Sequence, residues 1–147
     1  IMELEQRRWI RPEHLNIANR LFGGHLLSWM VEESSMLAYQ CILPGERLVT
    51  VGMDATFTAP GKQGDLLRFL YKVVHIGTSS ITILCEVYND KTESMIVMAY
   101  ATLVSIDSNE KLQNIPLTGD VDIATICKNP EWDKVVDMKK GRIRRGR

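Results

Sequence analysis

Cysteine is scarce in this chain: there are three in 147 residues, Cys41, Cys85 and Cys127, odd in number and far apart. With no C-x-x-C pair among them, neither a disulfide framework nor a zinc site organises the fold, and reduced thiols in a cytoplasmic setting are expected. A surplus of charge is also missing. Eighteen Lys and Arg balance eighteen Asp and Glu, so the chain as a whole offers no field for nucleic acid or an anionic membrane. No apolar run approaches the roughly twenty residues of a membrane span, and the amino end lacks the pattern of a signal peptide. The histidines, His14, His25 and His75, are not spaced as metal ligands, and nothing in the pattern implies a metal or redox cofactor. Ser28, Ser34 and Ser35 stand in no nucleophile elbow. There is no internal repeat and no low-complexity segment, and the length is that of one domain able to bury a core without staples.

What is present begins with Asn16-Ile-Ala-Asn-Arg-Leu-Phe-Gly-Gly24, running straight into His25-Leu-Leu-Ser-Trp-Met-Val31 and Glu32-Glu33. A glycine pair at the mouth of an apolar helix exposes backbone N–H groups that have no intrahelical partner. Aided by the helix dipole, an N–H at Gly24 or His25 can hold the oxyanion formed when a carbonyl is attacked, which equips an acyl-transfer site. Asn16 and Asn19 stand in the loop before it. From Gly23 to Cys41 there is no proline and no interior glycine, and Leu26, Met30, Leu37 and Ala38 share one side. One helix of about five turns is predicted, ending near Pro44-Gly45. At about 100° per residue, Glu33 projects among Leu26, Trp29, Met36 and Leu37, whereas Glu32 shares a narrow polar face with Ser28 and Tyr39. A carboxylate enclosed by apolar groups has a raised pKa and serves as a general base. The same carboxylate reads otherwise as an inert, hydrogen-bonded group at an edge or a dimer interface.

Met2 to Ile10 reads as a short edge strand followed by a loop at Arg11-Pro12. Four strands rich in Val, Ile, Thr and aromatics follow the helix: Leu48–Phe57, Leu66–Ile76, Ser80–Tyr88 and Met95–Ile106. The turns between them are short, so the strands pair antiparallel. A helix apolar around most of its circumference needs cover on more than one side, and a curved antiparallel sheet supplies it. The free sheet edge predicts pairing with a second copy. The hydroxyl-rich Gly77-Thr78-Ser79-Ser80 reads as a hairpin turn or as a ligand for a phosphate or pantetheine chain. Beyond Asp107 the chain turns polar, and Pro130 to Arg147 reads as a helix with a basic end carrying Lys134, Lys139, Lys140, Arg142, Arg144, Arg145 and Arg147. That tail is either solvated or a binder of a polyanion such as a nucleotide phosphate, and a nucleic-acid-binding reading fits the tail alone.

Three pieces in order, Asn16…Leu21-Phe22-Gly23-Gly24, then Phe57-Thr-Ala-Pro60…Gly64-Asp65, then Ile76-Gly77-Thr-Ser-Ser80-Ile81, resemble the acyl-CoA thioesterases of the hotdog-fold superfamily, from about Arg11 to Asp107. The resemblance implies an α+β fold in which a long central helix is wrapped by a five- or six-stranded antiparallel sheet. The expected division of the chain is a hotdog thioesterase domain at residues 1–125 and a basic C-terminal helix or tail at 126–147. The resemblance also implies homodimers, frequently arranged as trimers of dimers, and hydrolysis of acyl-CoA at a site shared by two subunits, with no nucleic-acid or membrane partner. The glycine pair carries over to Gly23 and Gly24, and Gly77 to Ser80 match the segment near the pantetheine or phosphates. Two positions depart from the family pattern. Arg20 stands where many members have Asp or Asn, leaving Asn19 as the nearest amide, and Val31 stands where others have Asp. The activating base is then Glu32, Glu33 or absent. The preferred arrangement has Glu32 acting through a water oriented by Asn19, Gly24 as oxyanion donor, and Asn16, Gly23, Gly77, Ser79 and Ser80 as substrate contacts. The competing arrangement is a non-catalytic acyl-CoA-binding protein that keeps the pocket without the acid.

Overall fold

The computed structural model describes residues 2–145, with side chains as far as Gly141. Arg147 therefore lies outside the described residues, and the side chains of Arg142, Arg144 and Arg145 do too. Five strands and one long helix make the body. β1 (Glu3–Trp9) leads through a turn of 3-10 helix at Pro12–His14 to α1 (Gly23–Tyr39); β2 (Arg47–Phe57), β3 (Leu66–Ile76), β4 (Ser80–Asn89) and β5 (Met95–Ile106) follow, then α2 (Ile123–Cys127) and α3 (Trp132–Arg145). The strands form one antiparallel sheet in the order β1-β3-β4-β5-β2. This is the α+β hotdog architecture that the sequence resemblance implies.

The helix lies across one face of the sheet because its apolar stripe has nowhere else to go. Leu26, Met30, Leu37 and Ala38 are buried, and they join Phe69, Ile83, Val87 and Ala99 in the main core. Register shifts at Thr50/Gly52, Val73/His75 and Val87/Tyr88 bend and twist the sheet around the helix. The opposite face is covered in part by α3. Val135 is fully buried there against Val74, Leu84 and Tyr100, with Trp132 and Met138 at the margin. Cover on both faces explains why β4 is buried at seven consecutive residues instead of alternating. α2 was not foreseen in the sequence; Asp122 caps it through Thr125, and Ile126 is buried in the main core.

The two edges of the sheet differ in chemistry. β1 turns Glu3, Glu5 and Arg7 outward, the charged surface that keeps an edge strand from pairing. β2 instead exposes Val49, Val51 and Phe57, with Met36, Tyr39 and Leu43 exposed on and just after α1.

Candidate active site

The loop before α1 is closed by Asn16. Its Oδ1 accepts hydrogen bonds from the N–H groups of Ala18 (2.9 Å) and Arg20 (3.1 Å), and its N–H donates to the Arg20 carbonyl at 2.7 Å. Two backbone donors on one side-chain oxygen fix the amide orientation, and Nδ2 donates no hydrogen bond among the described residues. Asn19 lies at the tip with φ 59, a left-handed conformation that Asn adopts at little cost, and its side chain is exposed. Leu21 N–H to the Gly61 carbonyl and Phe22 N–H to the His14 carbonyl, both 2.9 Å, pin the loop to the body.

The start of α1 carries no side-chain cap and no acidic residue in its first turn. His25 N–H is taken by the Phe22 carbonyl at 3.0 Å. Among the described residues Gly23 and Gly24 N–H donate to no acceptor, so of the two donors considered from sequence Gly24 is free and His25 is not, and Gly23 N–H stands free beside Gly24. With the positive end of the helix dipole behind them, they form a site for a developing negative oxygen. A Cβ on Gly24 would come within 2.4 Å of the Phe22 ring, whereas one on Gly23 would meet Phe57 at an ordinary 3.6 Å. Beside Gly23 opens a groove of about 420 Å3, lined mainly by Leu21, Leu26, Phe57, Ala59, Pro60 and Ile96, with Arg20 at its rim.

The two glutamates part company. Glu33 is 2 % exposed. Its Oε2 accepts from Arg8 Nε (3.0 Å) and Nη2 (2.8 Å), and its Oε1 accepts from the Tyr71 hydroxyl at 2.5 Å. Burial above all, then the neighbouring Cys85 and Glu33, holds the Tyr71 hydroxyl far above the usual phenol range, so it stays a donor. Glu33 is thus the hydrogen-bonded alternative, with both oxygens engaged. Glu32 is exposed, on a stripe with Gly24, Ser28 and Met36. Within one chain, Gly24 and Glu32 are eight residues apart, or about 12 Å along the axis.

Gly77, Ser79 and Ser80 form a tight hairpin turn, with Gly77 N–H donating to the Ser80 carbonyl at 2.9 Å. A Cβ on Gly77 would sit 2.7 Å from Ser80 Oγ, so a side chain there would require the Ser80 hydroxyl to turn away. Ser80 pairs with Val104 and Phe57 with Val97, which separates this turn from the Gly23 end by about 23 Å along β5. One chain therefore gathers Asn16, Asn19, Gly23 and Gly24 at one end of the sheet and leaves Gly77 to Ser80 at the other. Arg8 and Tyr71 were missed in the sequence. Their signal is period-two alternation, which draws Leu4, Gln6 and Arg8 inward on β1 and buries Leu67, Phe69 and Tyr71 on β3.

A sequence model described as the thioesterase superfamily matches residues 18–96, from the glycine-pair loop to the start of β5. The chain belongs to the thioesterase superfamily. Acyl-CoA thioester hydrolase YciA of Salmonella typhimurium is 30% identical over 125 residues, covering 80% of this chain and 92% of that relative. Among solved structures, the hexameric thioesterase y2039 of Yersinia pestis is 30% identical, with TM-score 0.67 over 76% of this chain and 93% of the other. An acyl-CoA hydrolase of Staphylococcus aureus, solved with butyryl coenzyme A, coenzyme A and coenzyme A disulfide, shares the fold with TM-score 0.73 at 24% identity, over 98% of this chain and 88% of that one. The matched span takes in the glycine-pair helix α1 and strands β2 to β4. Among the described residues no group of His, Cys, Asp and Glu is placed to hold a metal ion, and no helix is long and apolar enough to cross a membrane.

Proposed function

We propose that this thioesterase hydrolyses acyl-CoA to free CoA and a carboxylic acid, at sites built from two copies of the chain. The observation that carries this reading is the pair of unbonded N–H groups at Gly23 and Gly24 beside an apolar groove. An acyl chain enters the groove, its thioester oxygen faces the two donors, and the tetrahedral oxyanion is held there while the CoA sulfur departs. Gly24 N–H is the principal donor, with Gly23 N–H beside it and Asn16 Nδ2 available to the same oxygen. The acyl-CoA and thioesterase names of the relatives support the substrate class.

Water activation falls to Glu32, with Asn19 orienting the water. A base must lie within reach of the attacking water, and about 12 Å separates Gly24 from Glu32 in one chain. Two α1 helices packed antiparallel about Ser28 bring Glu32 of one copy against Gly24 of the other, and Gly24 and Ser28 are small enough to permit the approach. The apolar β2 edge offers the continuous sheet that such a pair requires. Gly77, Ser79 and Ser80, far from Gly23 in their own chain, then serve the pantetheine arm at another copy's site. The hexameric relative supports assembly beyond a monomer.

Two tests follow. Val51, 60% exposed on β2, tolerates lysine in a monomer but not in an edge-paired dimer; Val51→Lys is expected to shift the elution volume to one chain and to abolish turnover together. Gly23 is the first helical residue, preceded by Phe22 in extended conformation (φ -68, ψ 124), where proline fits. Gly23→Pro removes one free N–H without touching a structural hydrogen bond, so circular dichroism should be unchanged while kcat falls about a hundredfold.

A second reading, acyl-CoA binding without hydrolysis, is favoured by one observation: the buried helix carboxylate, Glu33, is engaged by Arg8 and Tyr71 and is not free to activate water. Thiol release from an acyl-CoA series, acetyl to palmitoyl plus an aromatic one, separates the two.

A further inference from the structure

The groove beside Gly23 is apolar except at one point. Thr58, on its wall, spends its hydroxyl on the Met95 carbonyl at 2.9 Å, which leaves Arg20 as the one lining side chain with an uncommitted polar group. Arg20 is exposed, its guanidinium makes no ion pair among the described residues, and no carboxylate lines the groove with it. The other arginines near the start of α1 lie elsewhere: Arg7, Arg8 and Arg11 line a separate pocket with Trp29, and Arg8 is held by Glu33.

The backbone beneath the Arg20 charge is fixed. Arg20 N–H donates to Asn16 Oδ1 at 3.1 Å, the Arg20 carbonyl accepts from Asn16 N–H at 2.7 Å, and the next residue, Leu21, donates to the Gly61 carbonyl at 2.9 Å. The root of the side chain therefore stands at a set distance from the free N–H groups, three Cα steps from Gly23 or at most about 11 Å. A guanidinium has five donors and no acceptor, and it grips a carboxylate through two parallel N–H···O bonds. The walls of the groove suit methylenes, and its rim suits an anion.

We infer that the acyl group selected here is a dicarboxylic one, a straight chain of about four to six carbons, which matches that span. Its free carboxylate pairs with Arg20, its methylenes lie against Leu26, Phe57 and Ile96, and its thioester oxygen faces Gly24. The inference rests on the acyl-CoA reading above and names the substrate class within it. Apolar contact alone separates chains of similar length only weakly, whereas a site built around a polar partner discriminates far more sharply. Were Arg20 merely laying its methylene stem along the groove with its head in water, a terminal carboxylate would gain nothing from it.

The test compares acyl-CoA pairs of equal length that differ in the terminal carboxylate: succinyl with butyryl, glutaryl with pentanoyl, and adipoyl with hexanoyl, with spontaneous breakdown subtracted. Each pair is run on the unsubstituted protein and on Arg20→Met, which keeps an unbranched stem and removes the charge. In at least one pair the ratio of kcat/KM values, dicarboxylic over monocarboxylic, is expected to fall at least tenfold in Arg20→Met, through loss on the dicarboxylic member. Calorimetry with carboxyalkyl and alkyl thioethers of CoA, which cannot be hydrolysed, should show the same tenfold change in the ratio of Kd values. Because each ratio is taken within one protein, differences in the amount folded or assembled cancel. A smaller change in every pair overturns the inference. Equal loss on both members also overturns it, because Arg20 then serves the CoA moiety or the loop that both substrates share. Calorimetry needs no turnover, so a protein that binds the carboxyalkyl thioether through Arg20 but releases no thiol defeats the hydrolase reading and leaves this inference standing.

Discussion

Glu32→Gln is expected to lower acyl-CoA turnover about a hundred- to ten-thousandfold, the usual contribution of a general base, in a protein that melts like the unsubstituted one. The fold should be indifferent because Glu32 is exposed and its side chain makes no hydrogen bond or ion pair among the described residues, and surface substitutions of that kind usually shift stability by less than about 0.5 kcal/mol. Butyryl-CoA affinity should also hold, since the amide keeps the size of the carboxylate, so the loss should appear in kcat. Thiol release, thermal melting and ligand titration check the three statements. Turnover within twofold of the starting protein removes Glu32 from the mechanism. With an unsubstituted protein that binds acyl-CoA but does not cleave it, the binding reading takes its place.

Glu33→Ala should act on stability instead. Removing the carboxylate strands the buried Tyr71 hydroxyl and one face of the Arg8 guanidinium, and breaking a buried pair costs about 3–5 kcal/mol. The value here should sit near about 3 kcal/mol, because Arg8 keeps 36% of its side chain exposed and water recovers part of its charge. The decisive comparison is with the double substitution Arg8→Met, Glu33→Leu, which replaces both charges by apolar groups of similar length and should regain most of the loss. Urea denaturation of the assembled protein at fixed chain concentration measures both. A double variant as unstable as the single one would mean that the helix is held by the shape of Glu33 and not by its pairing.

Local pattern carried the elements. Uninterrupted helical spacing and the absence of proline gave α1 its start at Gly23, though it ends at Tyr39, short of the expected stop near Pro44-Gly45, and turn residues at Gly77-Thr78-Ser79 and Asn89-Asp90-Lys91 separated β3, β4 and β5 nearly where they lie. α2 escaped because five residues are too few for periodicity to register; its cap, Asp122 to Thr125, is the one local mark it leaves. Asn16 was singled out in the sequence as a substrate contact and not as the residue that shapes the loop, since its bonds to Ala18 and Arg20 depend on the left-handed turn at Asn19.

By itself the sequence determined the two periodicities, the glycine pair and its two neighbouring glutamates, and with them a long helix covered by an antiparallel sheet, because spacing along a chain translates directly into which face a side chain takes; the hotdog plan came with the resemblance of three motifs to the acyl-CoA thioesterases. Only the tertiary structure decided what those faces meet. It committed Glu33 to Arg8 and Tyr71, residues 25 and 38 positions away; it left Gly23 and Gly24 N–H free while His25 was taken; it set Gly77 to Ser80 at the far end of the sheet; and it gathered Arg7, Arg8 and Arg11 beside Trp29. Apart from the helix start, where His25 N–H turns back to Phe22 three residues earlier, these are long-range juxtapositions fixed by the order β1-β3-β4-β5-β2. Strand order is chosen by packing across the whole core, which no local spacing encodes.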